Sequence, residues 1–443
     1  MPIAAYMSSA SIISGMIAGM SSTTHNIPSQ SASENKWPLS VTIGLSILAL
    51  TLLTLRVTLW RYFVNSDLLT AFLPWQNYLL EHGRWHALQH PFSMYFPAYF
   101  DITVLTSYLD GHINRISQIK LVSFTFDIAT AVVAYYFVGR LTRSSTAGGR
   151  RSVAQLVAPF CILAGPTVLV NGAVWGQSDI VYTCFLLFST FSVIVGSGAF
   201  AALFFGIAFA FKLQAIFLVP FIAAMVLQKR IRWWHLLLVP VGWLAALVPP
   251  MLNGARVWDF LSLTSSQGEA FPTLAINVGN PWIIADRLHF NVHAGTLAGI
   301  VLTVFLMVAI SIWGARPAFR SANNTLILAT LSVLAVPYIM PKMHDRYFFP
   351  AEIFLCILSC VDLAFVLPAA LVLSASLICY GNYFLYHVRY SVLAAALLAN
   401  TAAVWLVFQQ VRLRIRAAEH PPQLQSASTE PAPSPALSPA QTS

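Results

Sequence analysis

The sequence predicts an all-α, polytopic membrane bundle of about 11–13 spans, with a long first extracytoplasmic loop that carries interfacial helices. Three observations predict it. Of 443 residues, 58% are apolar and 9% are charged. That is far below the roughly 25% of charged residues with which a soluble domain covers its surface. Apolar stretches near the roughly 20 residues needed to cross a bilayer recur between positions 38 and 410. Lys and Arg gather in the short segments between them, as they do on the cytoplasmic side of membrane proteins. This topology accounts for the formal charge of +9, so membrane lipids are the expected partners and nucleic acid is not.

The ends of the chain differ from its middle. Residues 1–37 are mildly apolar, then rich in Ser, Thr and Asn. They lack the basic n-region of a cleaved signal peptide and are expected to be poorly ordered or to form a short interfacial helix. Residues 417–443 are expected to be a disordered Pro/Ser/Ala-rich cytoplasmic tail. Between them, 38–416 is expected to be a single transmembrane domain with outer loops at about 61–118 and 253–291. The first span is 38–60, with Arg56 inside it. Spans at 119–141, 153–171 and 179–196 follow, the first two joined by a basic loop from Arg140 to Arg151. The stretch 199–228 holds Lys212 and Gln214 in its middle, and this predicts two half-helices turning there. Non-helical backbone at depth is tolerated where protein or a watery cavity surrounds it. Further spans are expected at 236–252, 294–313, 326–340, 350–362, 365–384 and 391–410. Arg412, Arg414 and Arg416 then end the bundle on the cytoplasmic side. The acidic residues Asp67, Glu81, Asp101, Asp110, Asp179, Asp259, Glu269, Asp286, Asp345 and Glu352 all fall on the outer side of this arrangement.

Cys161, Cys184, Cys356, Cys360 and Cys379 lie in apolar stretches without a C-x-x-C pair. They read as small buried hydrophobes rather than a disulfide framework or zinc site. His82, His86 and His90 recur at every fourth position, and this spacing would put three imidazoles on one helix face. Gly83 weakens that helix and no carboxylate joins the stripe, so an interfacial amphipathic helix explains it better than a metal site. No metal and no cofactor are expected.

Four polar clusters converge on the outer side: Asn65-Ser66-Asp67, Trp175-Gly176-Gln177-Ser178-Asp179, Lys212-Leu213-Gln214 and Lys342 to Tyr347. Each has a bland explanation. Asp67 and Asp179 stand where helices begin and would serve as N-caps, and His344, Arg346 and Tyr347 would form an interfacial anchor. Lys212 resists such a reading, because an ammonium at membrane depth is costly unless it faces a partner or a cavity. Taken together, cations at that depth suit a lipid phosphate, and a carboxylate beside them suits removal of a hydroxyl proton. Asp67 is the first acidic residue beyond the first span, which makes it the candidate base.

The run NSDLLTAFLPWQNYLLEHGRWHALQHPFSMYFPAYF resembles the first outer loop of bacterial GPI-mannosyltransferase-II-like (PIG-V-like) proteins. IKLVSFTFD, GAVWGQSDIVYTCFLL, GIAFAFKLQAIFLVPF, NVGNPW and MPKMHDRYFFP match further elements of that family, in its order, over 65–351. The family belongs to the GT-C superfamily of membrane glycosyltransferases. The resemblance implies an inverting, metal-independent hexosyltransferase, most simply a mannosyltransferase, that uses a polyprenyl-phosphate-linked sugar donor. It implies a catalytic Asp in the first outer loop, here Asp67, and phosphate-binding residues at Lys212, His344 and Arg346. Gln177, Asp179, Gln214, Trp175 and Tyr347 would shape the sugar and acceptor pocket. The acceptor would be a lipid, glycan or protein in cell-envelope glycan biosynthesis, at the periplasmic face of a bacterial inner membrane. No D-x-D follows the first span, which argues against a metal-bridged nucleotide sugar. A multi-span transporter or lipid flippase is the rival class, but such proteins concentrate their site near the bilayer midplane.

Overall fold

Long apolar runs dictate helices here, and at some positions prolines and polar residues within them interrupt the helix. The computed structural model describes residues 39–143, 148–261, 272–385 and 389–419. The N-terminal segment 1–37 and the tail beyond Glu419 lie outside them, as does part of the second outer loop, 262–271. The chain divides at Thr51 into two units. Of the first, the described part is 39–51, the N-terminal half of helix α1 (Leu39–Tyr62). All other elements belong to the second.

Among the described residues, seven helical stretches are long and apolar enough to cross a membrane: Ser40–Tyr62, Arg115–Leu141, Val153–Trp175, Val292–Gly314, Ala322–Ile339, Leu363–Leu385 and Tyr390–Glu419. Shorter apolar helices accompany them at Asp179–Ile194, Gly198–Phe211, Leu213–Leu227, Trp233–Ala245 and Phe349–Val361. The only described strands are two residues each, β1 (Ala275–Ile276) and β2 (Met343–His344). The protein is therefore an all-α, multi-pass membrane bundle, as the composition requires.

After α1 the chain forms a π-helical turn, Leu68–Phe72, which runs into α2 (Leu73–Glu81), and then α3 (Pro97–Ser107). The helices that follow are α4 (Arg115–Leu141), α5 (Gly148–Leu163), α6 (Asp179–Ile194), α7 (Gly198–Phe211) and α8 (Val219–Leu227). The later ones are α9 (Leu238–Ala245), α10 (Val292–Gly314), α11 (Ala322–Ile339), α12 (Phe349–Val361), α13 (Val366–Leu385) and α14 (Tyr390–Glu419). The apolar core is continuous through α4, α6, α7, α8, α11 and α12.

The expected break within 199–228 is present. Helix α7 stops at Lys212, whose backbone is extended (φ −151°, ψ 138°). A 3-10 turn, Leu213–Leu218, then leads into α8. Pro220, in the first turn of α8, has no N–H to continue a helix from the preceding segment.

Several expectations need correction. The stretch 236–252 is not one continuous helix. It divides into α9 and a short helix, Val248–Leu252, because Pro249 and Pro250 remove the backbone donors a continuous helix would use. The basic loop after α4 is shorter than expected, since α5 starts at Gly148, and α14 runs on to Glu419. The three-histidine stripe does not exist as a helix face. Helix α2 ends at Glu81, Gly83 and Arg84 take positive φ, and His86–Gln89 is a separate 3-10 turn. Cys184 and Cys379 are buried, but Cys161 is exposed and Cys356 and Cys360 are half-buried. In a bilayer a small apolar side chain loses little by facing lipid.

Candidate active site

The polar clusters are brought together because each stands at the same end of an alternating set of helices. Asp67 follows the C-terminus of α1. Trp175 ends a π-helical turn, Leu169–Trp175, Gln177 follows it, and Asp179 opens α6. Lys212 closes α7, the 342–347 turn closes α11, and the C-terminal end of α13 supplies Tyr383.

The half-buried carboxylate of Asp67 is held by three donors. Trp175 Nε1 and Gln177 Nε2 donate to Oδ2 at 2.9 and 3.1 Å, and Tyr383 Oη donates to Oδ1 at 2.7 Å. A carboxylate offers about four lone-pair sites. On that reckoning Oδ2 is saturated and, among the described residues, Oδ1 keeps one site open. Asp67 makes no side-chain cap bond, so the N-cap explanation fails. Asn65 does the capping instead: its Oδ1 accepts from the Leu68 backbone N–H at 3.1 Å. Its Nδ2 donates to the carbonyls of Val174 and Trp175, both at 3.1 Å, which pins the tryptophan turn to the same loop.

That turn is itself tightly specified. Gly176 has φ +75°, and a Cβ there would lie 2.6 Å from the Leu68 side chain. Ser123 of α4 donates to the Gln177 carbonyl. Gly172, inside the π-helical turn, packs against a buried ion pair between Arg56 of α1 and Asp127 of α4. A Cβ at Gly172 would sit 2.8 Å from the Arg56 guanidinium. Trp175 stacks on Tyr383 with centroids 4.6 Å apart, and the Arg346 guanidinium lies 5.1 Å from the indole centroid. Trp175 thus touches both the carboxylate and a cation.

The second half of the site is an ion cluster around Asp179, which is fully buried. Lys212 Nζ donates to Asp179 Oδ1 at 2.6 Å, Asn171 Nδ2 donates to Oδ2 at 2.9 Å, and Arg346 Nε stands 3.5 Å from Oδ2. Ser178 stands at the N-cap of α6 and the Asp179 carboxylate is taken up by Lys212, Asn171 and Arg346, so capping is not its role. Nor are Lys212 and Arg346 two unpartnered cations, because they share Asp179. Taking an ammonium out of water is costly, and a fully buried carboxylate is what offsets that cost. Arg346 also lies 3.5 Å from Asp345. Burial opposes its charge, but Asp179 and Asp345 outweigh burial and hold its pKa above the usual value.

Burial raises the Asp345 carboxyl to about 6 against the pull of Arg346, while Asn277 Nδ2 donates to it at 3.2 Å. His344 moves the other way, to about 3. Burial is the larger cause and the adjacent Arg346 and Lys212 charges add to it. His344 is therefore neutral near pH 7 and not a third cation. It packs near Tyr347, 5.1 Å between ring centroids.

The NVGNPW segment builds the support for this turn. Asn280 Nδ2 donates to the Met340 carbonyl at 3.2 Å and Trp282 Nε1 to the Ile339 carbonyl at 2.6 Å. These are carbonyls that the end of α11 would otherwise leave unpaired. Ala275 and Ile276 pair in parallel with Met343 and His344, which ties this part of the second outer segment to the 342–347 turn.

Asp67, Gln177, Lys212, Gln214, His344, Arg346 and Tyr347 all line one cavity of about 560 Å³, within the range usual for small-molecule sites. Trp175 and Asp179 stand behind its wall through the contacts above. The sequence reading missed Tyr383, Asn171 and Tyr95, whose hydroxyl donates to Gln177 Oε1 at 3.0 Å. An aromatic residue near the end of a span, such as Tyr383, reads as an interfacial anchor, so no local signal separates it from the rest. Among the described residues no group of three or more His, Cys, Asp or Glu forms a metal site.

No protein-family model matches this chain, and no curated protein matches it. Among solved structures, the crystal structure of ArnT from Cupriavidus metallidurans bound to undecaprenyl phosphate is similar at 14% sequence identity. The match covers 86% of this chain and 79% of that one, with a TM-score of 0.45.

Proposed function

We propose that the protein is a GT-C-type membrane glycosyltransferase. It would move a hexose, mannose by the sequence resemblance, from a polyprenyl-phosphate-linked donor to an acceptor hydroxyl at the extracytoplasmic face. One observation carries the reading: a carboxylate with one open lone pair and a cationic cluster line the same cavity. In the proposed reaction, the acceptor hydroxyl gives its proton to Asp67 Oδ1 while its oxygen bonds to the anomeric carbon. The bond from that carbon to the phosphate oxygen breaks, and its electron pair leaves on the polyprenyl phosphate. A single displacement of this kind inverts the anomeric centre. Preorganised charge is worth most where charge develops in the transition state, and the departing phosphate is where Lys212 and Arg346 would act. His344 would assist as a neutral donor. Gln177 and Trp175 would hold Asp67, Asp179 would hold the two cations, and Gln214 and Tyr347 would shape the sugar pocket. A bacterial inner membrane with this end towards the periplasm fits the placement of Arg140, Arg230, Arg316 and Arg414 at the opposite helix ends.

The test is to incubate purified protein with polyprenyl-phosphate-[¹⁴C]mannose and membrane extract. Release of polyprenyl phosphate with label entering lipid, glycan or protein is expected. Movement of intact labelled donor across vesicles without release would instead identify a flippase.

A further inference from the structure

A second cleft opens at the same end of the bundle, behind α2. Helix residues four apart share a face, and those two apart fall on roughly opposite faces. Ala71 and Trp75 line the catalytic cavity, whereas Leu73 and Asn77 line a separate cleft of about 1260 Å³. The cleft is bounded by Val57, Trp60 and Arg61 at the end of α1 and by the segment Asp110–Ser117 that opens α4.

Its walls are of two kinds. Val57 is 52% exposed and Leu53, one turn below it, 46%, so this face of α1 offers an apolar track into the bilayer. At the mouth the groups are polar. Arg115 is already engaged, with Asp110 at 3.2 Å and Asn77 Oδ1 at 2.8 Å. Arg115 and Gln118 hold the Asp110 carboxyl below its usual range, so the Asp110–Arg115 pair is charged and internally neutral. Arg61 is different. It is exposed, and among the described residues it forms no ion pair with a carboxylate; its guanidinium lies 5.9 Å from the Tyr62 ring centroid. Exposed His112 stands on the same rim. A cation at the end of a span, above an apolar track and beside a tryptophan edge, meets the needs of a lipid whose phosphate is at headgroup height.

We infer that this cleft binds the headgroup of an anionic phospholipid, with its phosphate on Arg61 and an acyl chain along Leu53 and Val57. Guanidinium and phosphate form charge-assisted hydrogen bonds of matched geometry, and juxtamembrane cations draw anionic lipids from the surrounding leaflet. The inference does not depend on the transferase reading.

Native mass spectrometry of the detergent-purified full chain tests it, with dioleoylphosphatidylglycerol, dioleoylphosphatidylcholine and glycerol 1-phosphate as probes. The anionic lipid is expected to be retained over the zwitterionic one. Arg61→Gln is expected to lower that retention roughly tenfold, as for loss of one charged hydrogen bond. Leu73→Trp, which fills the cleft and leaves every charge in place, is expected to lower it as well, with melting temperatures confirming that both variants fold. Equal retention of the two lipids overturns the inference. Unchanged phosphatidylglycerol retention in both variants, or competition by glycerol 1-phosphate at equal concentration, does so too.

Discussion

The substitution Asp67→Asn distinguishes proton abstraction from every supporting role that Asp67 could play. Its donors constrain how an amide would sit. Trp175 Nε1 and Gln177 Nε2 both donate to Oδ2, so the amide oxygen belongs there. The amide nitrogen then takes the place of Oδ1 and faces Tyr383, whose hydroxyl can turn from donating to accepting. All three contacts survive, and the stability change should stay within about 1 kcal/mol, the worth of a single adjusted hydrogen bond. The open position on Oδ1, however, becomes an N–H that cannot accept a proton. Loss of a general base costs about 10²–10⁴ in rate, or roughly 2.7–5.4 kcal/mol of barrier at 1.36 kcal/mol per factor of ten. The assay is polyprenyl phosphate release by purified protein, paired with a thermal melt and with donor retention measured separately. Wild-type turnover in Asp67→Asn would refute the role. So would a loss of activity that tracks a loss of fold.

Four further outcomes are expected. Lys212→Met should destabilise the protein by about 3–5 kcal/mol, because it leaves the buried Asp179 short of a partner. The double variant Lys212→Met/Asp179→Asn should recover most of that in a melt while remaining inactive. Asp345 has a folded-state value of about 6, above its ordinary 3.8, owing first to burial. Its contribution to stability is therefore present in full below about 3.8 and is lost as pH rises through about 6. Relative to Asp345→Asn, the wild type should melt higher as pH falls from 7.5 to 5, and a non-titrating phosphodiester analogue should bind about 5- to 10-fold tighter as the carboxyl neutralises; an Asp345→Asn variant with the same pH dependence would refute this. Gly172→Ala should cost about 1–3 kcal/mol by overpacking against the Arg56–Asp127 pair, seen as a lowered melting temperature with reduced turnover. In a cysteine-free background, Leu288→Cys should react with an impermeant thiol reagent in intact cells and Arg143→Cys should not; the reverse pattern would invert the assigned orientation.

Much of the site was legible because its chemistry is costly to place in a membrane. Lys212 announces a partner wherever it occurs in an apolar run, and the break beside it follows from the same cost and from Pro220. What stayed illegible was which group answers which. Asp179 looked like a helix cap because its position in sequence is a cap position; that it holds Lys212 and Arg346 depends on α7 and the 342–347 turn arriving from 33 and 167 residues away. Tyr383 lies 316 residues from Asp67 in a stretch with no motif, and only packing brings them together. The protonation of His344 depends on burial and neighbouring cations that composition cannot reveal. The division of 236–252 by its prolines, by contrast, could have been read directly from Pro249 and Pro250.

Helix lengths bear on how such a site responds to the membrane around it. Helix α12 has 13 residues and the lipid-facing α10 has 23, so at 1.5 Å per residue they rise about 20 and 34 Å. The turn bearing Arg346 is carried on the shorter one, while Tyr383 and Asp67 meet at the end of the 20-residue α13. Lys212 and Arg346 keep only 10% and 16% of their side-chain surface exposed where they line the cavity. In the proposed reaction, a lipid-borne phosphate would leave the headgroup plane to reach them. The depth of that descent would be set by the protein on one side and by the hydrocarbon thickness on the other, and mismatch costs fractions of a kcal/mol per Å. On that proposal, acyl-chain length in the host bilayer becomes a rate variable. Thickening the membrane by a few Å should slow capture of the donor without altering any contact among the site's own residues.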